Sequence, residues 1–584
     1  MRRIFQASVV LVMFSVFLFH GLLDAATSGT LATPPLQVVV VSGTNYEMGV
    51  QYGEQAAGLI ATMRDEAWNI LNNQVMNSAG TAPLGHCVMV QDIKVWTYYL
   101  EKYDPKLKDW LLGISQGCQN KGFNVSYADL VAIMVYPQEL WARPEMPYPA
   151  ETGVTPDCNG VASKSQKLLA KGRTNTQSNL CTSFAATRNA TQGGVPMVSI
   201  TGGATLDTPQ YVILIAFPSE GEQFISLAEA GRVAANFGAN SQFGWTMPAA
   251  VTAPWSACPS SWGVTSEVYF HYLQQYCKSP QDAVTYLNET PKGGVTGLFV
   301  FANKLGNVFI DECGSCGCVI RKPGDTDENK DFVATTNNYN SPAMEGYNLG
   351  ATYFPDTFFR YATIFQELST AQPGTIGPDF AKAAWLSDNW YYPTCYTTAG
   401  WSPTCYPTAG TAGTWYTVPV ADNPNDPNTC NVPGNLCEGG EYQMISFPAQ
   451  QTVYLEFGDP QGTTTPYYWP YSPEPQPTGE YTKWQLLGSI NMVAGAASAD
   501  AMIMLETAWN SYKHKAPTLD SQTRQSLENL LIQATQALLR GGTEEAYAEQ
   551  NPQKAQMALW GAACTDFATA QLYSQMVTTK LNQH

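Results

Sequence analysis

The 584-residue chain predicts an α+β fold in which antiparallel sheets are covered by helices. Three observations carry that prediction. Strand patterns come in runs separated by helical patterns, an order that argues against a parallel nucleotide-binding sheet. A β-hairpin pattern opens at a cysteine: residues 181–186 alternate, a turn cluster covers 189–194, and 195–201 alternate again. From residue 481 onward the pattern is helical, with Leu527, Leu530, Leu531, Ala534 and Leu538 on one face before Gly541-Gly542 signals a stop.

In chain order, residues 36–41 form an apolar strand pattern, and the glycine-containing run 43–53 leads into a helical pattern reaching Met76. That run lacks the Gly-Lys-Ser/Thr ending of a phosphate loop, so its glycines are read as helix-packing positions. Further amphipathic helices are expected over 103–114 and 127–140. The segment 144–180 is rich in Pro, Ser, Lys and Asn, the composition of an exposed, cleavable stretch. Strands are expected at 211–218, 223–228, 297–303, 307–311, 331–336 and 451–457. Helices are expected over 266–287, 357–368 and 377–386.

A short repeat, PTCYTTAG at 393–400 and PTCYPTAG at 403–410, is too small and too few for a solenoid. Its Cys395 and Cys405 are expected to staple a surface loop with Cys430 and Cys437. Residues 466–477 are Pro-rich, as in a linker. The resulting division is 1–26, a signal peptide; 27–180, an amino-terminal region ending in the cleavable stretch; 181–465, the main domain; 466–480, the linker; and 481–584, a helical extension.

Residues 1–26 have a basic start (Arg2, Arg3), an apolar run and small residues Ala25 and Ala26, the form of a cleaved secretory signal. Its removal leaves a net charge of −19, which excludes a nucleic-acid partner as the natural reading. No later segment has the apolar length of a membrane span. A secreted or lysosome-like location follows, with disulfides expected among the 14 cysteines and acceptor sequons at Asn124, Asn189 and Asn288. If Cys181 is kept as a thiol, the odd remainder requires at least one more unpaired cysteine.

The hairpin at Cys181 supplies the candidate nucleophile. A thiol at a strand start is also the ordinary place for a disulfide, and the sequence alone leaves both readings open. A separate imidazole base is scarce. Of five histidines, one lies in the signal and one is the last residue. His271 sits in an aromatic helical run as a packed side chain, His514 lies beside lysines, and His86 precedes Cys87 in ordinary loop structure. An amino-terminal cysteine needs no imidazole, because an α-amino group (pKa roughly 7.7–8.0) and a thiol (about 8.5) provide base and nucleophile on one residue. Cys313-Gly-Ser-Cys316-Gly-Cys318 has no partner cluster for zinc and lacks the aromatic residue of a papain-type signature, so it is read as local disulfide structure. No metal or cofactor is implied.

Several landmarks fall in one order: GTNYEMGVQYG at 43–53, CTSF from Cys181, FGANSQFG at 237–244, ATTNNYNSP at 334–342, FPDTFFRY at 354–361, LSDNW at 386–390 and FGDP at 457–460. On these the chain resembles the acyl-coenzyme A:isopenicillin-N acyltransferase family of N-terminal nucleophile (Ntn) cysteine hydrolases, with choloylglycine hydrolases and acid ceramidases as more distant kin. The resemblance implies a four-layer αββα sandwich of two antiparallel sheets, to which the residue patterns add a helical amino-terminal segment and a helical carboxy-terminal extension. It also implies self-cleavage between Leu180 and Cys181, then acyl transfer from an acyl amide or small peptide through a thioester on Cys181.

By the same resemblance, Asn337 is the oxyanion donor and Arg360 balances charge or holds a substrate carboxylate. Relatives place an acidic residue at the end of the second hairpin strand to fix the terminal amine. Here that region reads ITGGATLD, with Thr201 and Gly203 near the expected places and Asp207 as the candidate. Asn338 stands where the family has a histidine. The competing functions are a phospholipase-B-like hydrolase of the same broad fold and a nonenzymatic binding protein on the same scaffold. The oligomeric state is open.

Overall fold

The computed structural model describes residues 37–582 except 78–80, 145, 157, 159–180, 203–209, 251–260, 294–296, 316, 326–330, 349–354, 386–388, 394–412, 418–441, 458–481, 486–489 and 551–554. The signal segment, Leu180, Asp207, the cysteine repeat and the Pro-rich linker therefore lie outside the described residues.

Strand β1 (Gln37–Gly43) is followed by four helices: α1 (Asn45–Asn73), α2 (His86–Tyr103), α3 (Pro105–Asn120) and α4 (Tyr127–Ala142). The hairpin follows as β2 (Thr182–Ala186) and β3 (Met197–Gly202). Next come β4 (Tyr211–Pro218), β5 (Phe224–Glu229), β6 (Phe237–Asn240) and β7 (Phe243–Thr246). After α5 (Ser266–Tyr276) and α6 (Pro280–Glu289) come β8 (Gly297–Asn303), β9 (Val308–Gly314), β10 (Gly317–Arg321) and β11 (Phe332–Thr335). Then follow α7 (Pro355–Thr370), α8 (Pro378–Trp385), β12 (Asn389–Pro393), β13 (Gly413–Thr417), β14 (Tyr442–Phe447), β15 (Thr452–Phe457) and β16 (Thr482–Gln485). The chain closes with α9 (Ile490–Lys515), α10 (Ser521–Gln550) and α11 (Ala555–Asn582).

The fold is mixed α+β with two large sheets. One has eight strands in the order β1-β4-β5-β6-β7-β8-β9-β10, and the other six in the order β11-β2-β3-β14-β15-β16. The six-stranded sheet is antiparallel throughout. The eight-stranded sheet departs from expectation at one edge, where β1 runs parallel to β4, Val39 opposite Leu214. A parallel pair needs a long crossover, and the helices α1 to α4 lie in the segment between these strands.

Apolar side chains alternate to both faces of each sheet. Val39, Leu214, Phe243, Phe299 and Phe309 pack with Tyr52, Ile60, Trp110, Ile133 and Phe270 of the helices. Val40, Ile213, Leu227, Val300 and Ile310, on the other face, pack with Cys181, Ala185, Val198, Ile200 and Met444 of the six-stranded sheet. Phe184, Met197, Phe332 and Ile445 meet Tyr361, Phe365 and Trp385 of α7 and α8. Strands buried on both faces read as continuous apolar runs, as 211–217 does. At Gly244 an added Cβ would lie 2.6 Å from Ser446 Oγ of the opposite sheet, so the missing side chain sets how closely the sheets approach.

The glycines of 43–53 are packing residues. A Cβ on Gly49 would sit 2.3 Å from Trp110 O, and one on Gly113 2.2 Å from Tyr46 O; Gly53 and Gly117 repeat the contact one turn on. These two pairs bring the α1 and α3 backbones together. Thr44 and Glu47 cap α1 reciprocally, which fixes where the helix leaves β1.

Three helix boundaries differ from the sequence pattern. The run 266–287 is two helices, because Ser279 caps a new start with Asp282 and Pro280 occupies the first turn. The helix expected from 103 starts at Pro105, with Asp104 Oδ1 accepting from Leu107 N–H at 3.1 Å. The glycine stop at 541–542 fails: α10 continues to Gln550, and Gly541 makes room for Phe567 of α11. The stretch from 481 opens with β16 on the sheet edge before its helices begin. The α11 helix seats Gly561 on β1, where a Cβ would be 2.4 Å from Val40 O.

Two disulfides lie among the described residues, Cys87–Cys158 and Cys313–Cys318. The second is the local disulfide expected of that cluster. Cys118 and Cys277 are buried thiols, and burial pushes Cys118 up to about 12. Loop-closure entropy makes the wide first bridge, with a sequence separation of 71, worth roughly 4 kcal/mol. The second spans a separation of 5 and is worth about 2 kcal/mol. Among the described residues no helix is long and apolar enough to cross a membrane. Asn124, Asn189 and Asn288 are all exposed.

Candidate functional site

Cys181 stands immediately before β2, with 1% of its surface exposed and its side chain in the apolar layer between the two sheets. Its thiol is outside any disulfide. Alternation along the strand turns Thr182 to the opposite face, towards α7, and Thr182 pairs with Thr201 of β3. The hairpin thus presents Cys181 at one end of a strand paired on both sides, by β3 and by β11.

The residue's backbone is held from two directions. Its N–H donates to Asn337 Oδ1 at 2.9 Å, and its carbonyl accepts from Arg360 Nη1 at 2.6 Å. Arg360 Nη1 also donates to Thr182 Oγ1 at 3.1 Å, and Nη2 to Asn337 Oδ1 at 2.8 Å. Two donors converging on Oδ1 fix the orientation of the Asn337 amide, and Nδ2 donates to Ala249 O at 2.7 Å. Three residues far apart in sequence therefore share one buried polar network.

Asn337 is braced in turn. Its N–H donates to Thr357 Oγ1 at 2.8 Å, and Thr357 O accepts from Thr336 Oγ1 at 2.8 Å. Asn338 lies beside the same hydroxyls, with Oδ1 2.8 Å from Thr336 Oγ1 and Nδ2 donating to Asn340 Oδ1 at 2.7 Å. Thr357 Oγ1 also donates to Asn338 Oδ1 at 3.0 Å, so this amide ties the strand end to α7. Thr357 and the Ala249 carbonyl were missed from sequence. Thr357 had a faint signal: it precedes Arg360 by three residues on one helix, so both side chains reach the same face.

The structure brings together Cys181, Asn337 and Arg360. Asp207 and Leu180 lie outside the described residues. The β3 end that was expected to carry an acidic anchor carries Thr201 and Gly202 within the described residues, with Gly202 opposite Tyr442 of β14. Arg360 is 1% exposed and directs its guanidinium to protein acceptors around Cys181, a positioning arrangement.

The competing histidine has a different job. His271 is fully buried, with Nδ1 2.5 Å from Asp104 Oδ2 and Nε2 3.0 Å from Gln275 Oε1. Asp104 caps α3 with its other oxygen, so the pair locks α5 to α3. His86 opens α2, with Nδ1 3.1 Å from Asn72 Oδ1, where a loop was expected.

No protein-family model matches this chain, and no curated protein matches it. Among solved structures, a mutant conjugated bile acid hydrolase from Clostridium perfringens aligns with a TM-score of 0.27 and 7% identity. The alignment covers 52% of this chain and 92% of that one.

Proposed function

We propose that this chain is the precursor of an N-terminal nucleophile cysteine amidohydrolase or acyltransferase, built on an αββα sandwich and delivered through the secretory pathway to the cell exterior or a lysosome-like compartment. The observation that carries the reading is the clamp on the Cys181 backbone, N–H to Asn337 and carbonyl to Arg360. A disulfide cysteine needs no such clamp. The layered apolar clusters support the sandwich; the two disulfides, which fit an oxidising compartment, and the exposed sequon asparagines support the route.

In this reading the Cys181 sulfur attacks the Leu180 carbonyl carbon, the peptide shifts to a thioester, and water releases the amino-terminal chain. The new α-amino group then takes the thiol proton. Thiolate attack on an acyl amide gives a tetrahedral oxyanion, the α-ammonium returns its proton to the leaving nitrogen as collapse expels the amine, and water or a second amine accepts the acyl group. Asn337 holds the amine through Oδ1, and its Nδ2 serves the oxyanion once it leaves Ala249 O. Removing such a donor costs roughly 2.7–4 kcal/mol in known cases. Arg360 fixes both the Cys181 carbonyl and Asn337.

The test is release of amine from a panel of N-acyl amides and short peptides, with rapid acid quench and intact mass of the Cys181-bearing fragment. The reading expects turnover abolished in Cys181→Ala and an acyl adduct on Cys181 in the wild type. A cleaved protein with no thiol-dependent release and no adduct across the panel would support a binding protein instead.

A further inference from the structure

A second thiol-based site lies on the far edge of the eight-stranded sheet, independent of the reading of Cys181. The Cys313–Cys318 disulfide joins directly paired residues of β9 and the edge strand β10. The two cysteines differ in burial: Cys313 is fully buried, whereas Cys318 is half-buried on the edge strand. Asp311 lies two residues before Cys313, on the same face of β9, and a carboxylate oxygen falls within 4.8 Å of both sulfurs.

Asp311 is fully buried, and neither of its oxygens has a hydrogen-bond partner among the described residues. Burial pushes its pKa to about 7, with Lys292 pulling it down and Glu312 pushing it up. Glu312 is itself engaged by Arg321, Nε to Oε1 at 2.8 Å. A buried carboxyl left without a partner is costly, and here it lies beside a disulfide of which one cysteine is half-buried.

We propose that Cys313–Cys318 is an exchange-active disulfide for low-molecular-weight thiols, with Cys318 as the attacked sulfur and Asp311 as the acid that protonates the departing Cys313. An incoming thiolate forms a bond to Cys318 Sγ, the Cys313–Cys318 bond breaks, and Cys313 leaves with the electron pair. It takes the proton of Asp311, leaving a carboxylate. A second thiolate attacks the mixed disulfide, releases an oxidised thiol pair and frees the Cys318 thiolate; one disulfide is reduced and two thiols are oxidised. Protonating the leaving sulfur in the apolar layer avoids a buried thiolate.

The experiment uses glutathione on the full chain at fixed pH, with timed alkylation and fragment mass spectrometry to read each cysteine. Cys313–Cys318 is expected to open well before Cys87–Cys158, with glutathione trapped on Cys318. Asp311→Asn should slow opening at least tenfold while leaving the Cys87–Cys158 rate unchanged. Should that variant fold poorly, glutathione disulfide on Cys313→Ser and Cys318→Ser decides the site: the first should form the adduct at Cys318, the second little at Cys313. Opening no faster than Cys87–Cys158, an Asp311→Asn rate equal to wild type, or trapping on Cys313 would overturn the proposal.

Discussion

At the residue scale, Arg360 is the side chain on which the arrangement around Cys181 depends. Its planar fork reaches Cys181 O, Thr182 Oγ1 and Asn337 Oδ1 together, which a lysine ammonium cannot do. Arg360→Lys should therefore leave a folded chain with cleavage before Cys181 slowed about 100-fold, read as fragment appearance with time. Arg360→Met leaves the same acceptors buried without donors and should cost roughly 3 kcal/mol or more in denaturant unfolding. Cys181, Asn337 and Arg360 were legible because each sits in a short landmark whose order along the chain is informative. Ala249 was not, since a backbone carbonyl carries no sequence signature, and Thr357 showed only its spacing from Arg360; both acquire their role when α7 packs on the sheet.

At the element scale, glycines decide where the pattern reading held and where it failed. Those of α1 face those of α3 and were recognisable as packing positions from the run 43–53. Gly113→Ala should cost about 1–3 kcal/mol, because the new Cβ meets backbone that cannot yield. The pair in α10 looked like a stop signal, yet the two residues have opposite environments. Gly541 has Phe567 within 2.6 Å of an added Cβ, whereas nothing lies within 4 Å at Gly542. Gly541→Ala is expected to destabilise by about 1–3 kcal/mol. Gly542→Ala should stabilise by roughly 0.5–1 kcal/mol, both by thermal or denaturant unfolding. A stop signal and a close-packing site are the same letter in sequence; only the α11 helix distinguishes them. The parallel β1–β4 pair was equally hidden, since alternation reports a strand and says nothing of its neighbour's direction.

At the scale of the whole molecule, buried carboxyls give stability a pH dependence with a definite sign. Burial raises Asp311 and Glu544 to about 7, and burial followed by the adjacent Asp92 raises Glu139. In the unfolded chain these groups ionise near pH 4, so for Asp311 and Glu544 the folded chain holds the extra protons between about 4 and 7, and Glu139 acts in the same direction. Stability should fall as pH rises through that window, each group contributing at most about 1.4 kcal/mol per pH unit. The unfolding midpoint is expected to drop from pH 5 to pH 7.5, with a shallower drop in Asp311→Asn; a midpoint that climbs over this range would contradict it. The central claim is that Cys181 becomes an amino terminus, and one measurement addresses it most directly: a denaturing gel with amino-terminal sequencing of the purified protein after incubation at acidic pH. Two fragments, one beginning Cys181-Thr-Ser, with a single intact band in Cys181→Ala, are the predicted result; a wild-type chain that stays joined at Leu180-Cys181 would contradict it.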